Sequence, residues 1–124
     1  MRLEIAVPSE ARAGDSVSIM LRLVNDGSVP VDVPLQGRPV AFDVSVTRPD
    51  GSLVWRRLEG EVVTAILQLR SVPAGDTLTF QANWDQRDAA GLPVPSGEYL
   101  VTASVPSDPP KAFEAGPVKL RIRP

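Results

Sequence analysis

Asn83-Trp84-Asp85-Gln86-Arg87-Asp88-Ala89-Ala90-Gly91-Leu92-Pro93-Val94-Pro95-Ser96-Gly97-Glu98-Tyr99-Leu100-Val101 reads as the end of one β-strand, a polar turn, a proline-stiffened connection and the start of the next strand. Trp84 closes an alternation with Leu78, Phe80 and Ala82, so the four side chains are predicted to share one buried face. Gly91 and Gly97 stand where turns need backbone freedom, and Pro93 and Pro95 restrict φ between them. Tyr99 then opens a strand two residues before Val101.

Working outward, the same period-2 alternation recurs along the chain. Leu3, Ile5 and Val7 form a first strand that Pro8 stops. Ala13-Gly14-Asp15 turns the chain into a second strand, with Val17, Ile19, Leu21 and Leu23 inward and Met20 and Val24 partly covered. Asn25-Asp26-Gly27 is a turn signal. Residues 29–33 are broken by Pro30 and followed by Pro34, which confines them to a sheet edge or an extended link. Val40, Phe42, Val44 and Val46 are expected inside, with Asp43, Ser45 and Thr47 outside. Arg48-Pro49-Asp50-Gly51-Ser52 makes a hairpin turn that returns through Leu53 to Arg57, carrying Trp55.

Residues 62–69 read as another strand, with a short helix as the alternative, and 71–76 as a turn. Ala74-Gly75-Asp76 echoes Ala13-Gly14-Asp15, which points to shared turn chemistry. Tyr99, Val101, Ala103 and Val105 make a further inward face. A proline-rich connector spans 106–111, and Gly116-Pro117 is expected to start the final strand. The spacing predicts an all-β, immunoglobulin-like antiparallel sandwich of about eight strands. The whole of 1–124 is expected to form a single domain. In that fold Tyr99 sits at the tyrosine corner, with its hydroxyl bonded to the turn backbone.

Composition narrows the chemistry. The chain has no histidine, which removes His-based relays and nucleophile–His pairs. It has no cysteine either, so disulfide, redox and zinc–thiolate chemistry are excluded. A formal charge of −2 argues against nucleic acid as the main partner. Lys119, Arg121 and Arg123 alternate with apolar residues, as on the solvent face of a strand. No apolar run is long enough for membrane insertion. Met1-Arg2 leads straight into the first strand, which fits a cytoplasmic protein; the alternative is an exported protein whose leader has been removed.

The remaining catalytic candidates are carboxylates. Glu59 and Glu61 flank Gly60, and Asp85 and Asp88 stand three apart, but nothing places two of them across a cleft. Asp85 and Asp88 lack the dense ligand pattern of a calcium loop, and Asx-turn capping is the favoured reading. Neither a catalytic residue, a cofactor site nor a metal site is therefore assigned, and the chain is read as a non-enzyme.

The ordered set of motifs resembles the BsuPI-type intracellular proteinase inhibitor family, small bacterial domains of immunoglobulin-like fold. Leu21-Arg22-Leu23-Val24-Asn25-Asp26 is similar to that family's apolar strand ending in Asn. Phe42 to Val46 with Asp50-Gly51-Ser52-Leu53-Val54-Trp55-Arg56 resembles its hairpin with a Gly-x-x-Val-Trp return. Val63 to Leu67 is similar to its Phe-Thr-Gln-Ala-Leu segment, without the Gln. Pro73 to Phe80 is similar to its Pro-Gly-Glu-Ser-x-x-Phe turn and strand. Trp84-Asp85, Gly91, Val94-Pro95 and Gly97-Glu98-Tyr99 complete the set, so Trp55, Trp84, Asp85, Gly91, Pro95, Gly97 and Tyr99 form a structural signature.

The resemblance implies a non-enzymatic, protein-binding domain, an intracellular proteinase inhibitor, and the expected partner is a serine protease or another protein. The candidate contact segment is Pro109-Pro110-Lys111-Ala112-Phe113, where two prolines preorganise an extended backbone before Lys111. Against it stands the plainer reading of an inter-strand loop kept soluble by its charges. The alternative function is a structural or adhesive immunoglobulin-like module of an exported or cell-envelope protein.

Overall fold

Period-2 apolar alternation gives ten strands and no helix among the residues that the computed structural model describes, 1–36, 42–58, 67–106 and 113–124. They are β1 (Arg2–Ala6), β2 (Glu10–Arg12), β3 (Val17–Val24), β4 (Val31–Gln36), β5 (Asp43–Thr47), β6 (Leu53–Arg56), β7 (Leu67–Val72), β8 (Thr77–Trp84), β9 (Gly97–Val105) and β10 (Phe113–Arg123). One sheet has the order β1-β3-β8, a second β2-β10-β9-β5-β6, and a two-stranded sheet pairs β4 with β7. All pairings are antiparallel except β2 with β10.

The two larger sheets face each other across a core. Val17, Ile19, Leu21 and Leu23 of β3 are fully buried, as are Val101 and Val105 of β9 and Leu120 of β10. Trp84 of β8 meets Tyr99 of β9 edge-on, with ring centroids 5.9 Å apart, a contact that spans from one sheet to the other. Val33, Leu35 and Val72 of the small sheet join the same cluster. This is the immunoglobulin-like sandwich expected, with ten strands in place of about eight.

The turn into β8 shows why Gly75 stands there. Its N–H donates to Asn25 O at 2.9 Å while Asn25 N–H donates to Asp76 O at 3.0 Å, so two residues oppose one. With φ +77° at Gly75, this is the bulge that takes Gly in the left-handed region. Asn25 is itself buried; its Nδ2 donates to Val29 O and Val72 O, each at 2.9 Å, and its Oδ1 accepts from Gly27 N–H. The strand-ending Asn therefore ties the loop that follows β3 to the turn between β7 and β8, and each donor and acceptor it buries is met.

Four sequence expectations are corrected. β2 was not foreseen: after Pro8 the chain crosses to the second sheet and runs parallel to β10, with Arg121 N–H donating to Ser9 O. Asp43, expected outside, is buried because its Oδ2 accepts from Arg56 Nε and its Oδ1 from the N–H groups of Val44 and Leu58. β7 runs to Val72 and so takes in the first two residues of the stretch read as a turn, which holds over 73–76; residues 59–66 lie outside the described residues. Gly116-Pro117 sits inside β10, at a register shift between Ala115 and Val118, and does not start the strand. At Gly116 φ is +94°, and a Cβ would lie 2.6 Å from Val101 O, so side chains other than hydrogen are shut out by backbone.

Candidate functional site

Trp84 is the anchor of the end of the sandwich where the signature residues meet. It is fully buried, and its Nε1–H donates to Arg87 O at 2.9 Å. Trp55 stacks against it, centroids 6.2 Å apart and planes at 26°. Trp55 pairs with the inward Val46, and the register shift next to that pair lets the adjacent Val54 turn inward as well. Trp55 itself is half-buried, and Leu53 stays half-exposed.

From Trp84 the chain makes a heavily braced loop. Asp85 Oδ1 accepts from Arg87 N–H, and Asp88 Oδ1 from the N–H groups of Ala90 and Leu92. Gly91 N–H donates to Asp88 O, and Arg87 Nη1 donates to Gly91 O. Both aspartates thus act as turn caps, through the side-chain acceptor that makes Asp favourable there. The Tyr99 hydroxyl donates to Pro95 O, closing the tyrosine corner, and Gly97 begins β9 opposite Ile122.

Gln86 is the residue that sequence reasoning missed. It is buried, has φ 61°, and plugs the space between this loop and the turn before β3. Its Nε2 donates to Arg12 O at 2.8 Å and Asp15 O at 2.9 Å, while Gly14 N–H donates to its Oε1 at 3.2 Å. In the sequence it is one polar residue among Asp85, Arg87 and Asp88, and no local signal separates it from them.

Burial pushes the Tyr99 phenol above its ordinary value of 10.0, with Arg48 pulling weakly the other way. The folded state holds the neutral phenol, so this contribution to stability is complete below about pH 10 and is lost as pH rises through the folded value. Tyr99→Phe is expected to cost about 1 kcal/mol at neutral pH through the lost hydrogen bond. Above pH 10 the gap between the two proteins should narrow, which paired urea titrations at pH 7 and in the alkaline range measure. A constant gap would contradict the buried neutral phenol.

Between β6 and the braced loop lies an open concavity of about 360 Å³, lined by Trp55, Arg56, Arg57, Asp85, Arg87, Asp88, Ala89 and Gly91. Ala89 N–H donates to Val54 O at 3.2 Å and so fastens the loop to the strand edge. Arg57 donates through Nη1 to Phe42 O and lies 3.7 Å over the Phe42 ring. Among the described residues no cluster of three or more potential metal ligands occurs, and no helix is long and apolar enough to cross a membrane.

The connector candidate divides. Pro109, Pro110, Lys111 and Ala112 lie outside the described residues. Phe113 is the first residue of β10, paired with Val105 and half-buried against the core. It is therefore an anchor of the strand and not part of an exposed segment.

The sporulation control protein Spo0M from Bacillus subtilis superposes with a TM-score of 0.59 at 10% identity, covering 99% of this chain and 49% of that one. A CARDB domain from Pyrococcus furiosus, determined in complex with di-metal ions, gives 0.51 at 16% identity, covering 98% and 86%. At such identities the likeness concerns the fold alone. No curated protein sequence matches significantly. The family model for BsuPI, described as intracellular proteinase inhibitor, matches residues 4–109. With that match spanning most of the chain, and with Trp84, Pro95 and Tyr99 joined in one braced corner, this protein belongs to the BsuPI family of intracellular proteinase inhibitors.

Proposed function

We propose that the chain, acting as one domain over 1–124 in the cytoplasm, inhibits a serine protease by binding it and catalyses no reaction. The family match over residues 4–109 carries this reading. The presented segment is Pro109 to Ala112, with Lys111 entering the specificity pocket. It is supported by the pairing of Val105 with Phe113, which holds the two flanks of the connector together on β9 and β10. Fixed flanks and two prolines lower the entropy lost on binding an extended backbone. They also keep the ends of a nicked bond close, so that resealing competes with release. The family match ends at Pro109, so Lys111 is assigned on these physical grounds and not by membership.

Trypsin, whose pocket takes Lys, is the probe. Wild type is expected to inhibit it stoichiometrically, and Lys111→Gly to weaken inhibition by about thirtyfold or more, as for a buried anchor residue. Equal inhibition by both proteins would exclude the connector. If neither trypsin nor a subtilisin-type protease is inhibited at micromolar protein, the structural-module reading takes precedence.

A further inference from the structure

We infer that the concavity between β6 and the 85–91 loop is a binding site for a carboxylate side chain presented by an acidic peptide, with Arg57 and Arg87 as its donors. The inference is independent of the protease reading, since the residues that carry it are described ones and none of them belongs to the β9–β10 connector.

Both walls are held before any ligand arrives. One is β6 running on into Arg57, hydrogen-bonded to β5 through Arg57 N–H and Val44 O at 2.9 Å. The other is the loop whose turns are closed by Asp85 and Asp88 and fastened to Val54. Each of the two arginines is pinned at one nitrogen by a backbone carbonyl, Arg57 by Phe42 O and Arg87 by Gly91 O. Among the described residues the other guanidinium N–H groups of Arg57 make no hydrogen bond, and those of Arg87 have only Asp85 Oδ2 at 3.9 Å. A guanidinium already held in one plane loses little freedom when it takes up a carboxylate, and its fork matches the two oxygens.

The formal charges around the concavity balance once Asp43 is counted, so an anion is favoured only by which of these groups are already engaged. Arg56, Arg57 and Arg87 face Asp85 and Asp88, and Arg56 is paired with Asp43 at the concavity's edge. Asp85 and Asp88 each have Oδ1 occupied by loop N–H groups, which draws part of their charge into the turns. The half-buried Trp55 supplies an apolar wall for the methylenes of a glutamate, so a side chain fits better than a bare ion. The site is open to water, so affinity for a single carboxylate should be weak, on the order of millimolar.

The test is a titration of the full chain, followed by amide and indole N–H chemical shifts and by Trp fluorescence. The probes are the capped tripeptide Gly-Glu-Gly, its Gly-Gln-Gly counterpart, and sodium acetate. Saturable shifts at Trp55 and the 85–91 loop are expected with the Glu peptide, about tenfold weaker with the Gln peptide. Arg57→Ala with Arg87→Ala should abolish them, with the thermal midpoint checked in the same samples. Asp85→Asn keeps the turn acceptor while removing a negative charge, and should tighten the Glu peptide by about two- to fivefold. That gain cannot come from a damaged fold. Equal response to the two peptides, no gain in Asp85→Asn, or acetate binding as tightly as the Glu peptide would each overturn the assignment.

Discussion

Trp84→Ala is expected to destabilise the protein by about 3–5 kcal/mol, the range for deleting a large buried aromatic. The indole is wholly buried, contacts Trp55 and Tyr99 from two strands of the facing sheet, and satisfies its only polar atom with Arg87 O. Its removal leaves a cavity that cannot collapse easily, because both β-sheets and the braced loop line it. It also leaves a turn carbonyl without its donor. A small domain has about 5–15 kcal/mol in total, so the variant should sit near the edge of unfolding. Trp55→Ala offers the contrast: the ring is half-buried at a strand edge, and its loss should cost about 1–2 kcal/mol. Urea midpoints for the two variants, read at unchanged slope, decide the matter. Equal losses would mean that the core is not centred on Trp84.

Gln86→Ala should cost about 2–4 kcal/mol, although the position carries none of the usual marks of a core residue. Its amide meets Arg12 O, Asp15 O and Gly14 N–H, and truncation strands all three beneath a loop. Gln86 also holds φ 61°, which non-glycine residues occupy at a cost. Gln86→Gly relieves that cost while losing the same hydrogen bonds, so it should be less damaging than Ala by about 0.5–1 kcal/mol. Chemical denaturation ranks the two. A neutral Ala variant would show that water replaces the amide without penalty. Amide exchange should place the loss locally: Gly14 N–H, hydrogen-bonded to Gln86 Oε1 in wild type, should become one of the faster exchanging groups in both variants.

The legible part of the fold was the part written in period-2 alternation and in turn chemistry. Val17 to Leu23 and Leu78 to Trp84 could be assigned a face because one sheet surface is dry and the other wet. Asp43 could not, since a carboxylate in an alternating strand reads as solvent-facing until Arg56 and two backbone N–H groups are brought to it. β2 was invisible for a related reason. Glu10-Ala11-Arg12 has no apolar phase of its own, and its pairing with Arg121 to Arg123 is a long-range choice. The candidate site was legible only in pieces. Trp55, Asp85 and Gly91 were marked as signature residues, but Arg57 and Arg87 drew no notice, because an arginine in sequence looks the same whether it is solvated or pinned.

By itself, then, the order of residues determined the all-β class, the inward rows of the long strands, the tyrosine corner and the family. Those features depend on local sterics and on which side chains leave water, and both are properties of short stretches. Tertiary structure alone decided that Gln86 is a buried bridge, that Gly116 meets the carbonyl of Val101, and that Arg57 and Arg87 share one concavity. Each of these joins residues distant in sequence through hydrogen bonds or close backbone approach. No window of the chain contains both partners, so no reading of a window can find them.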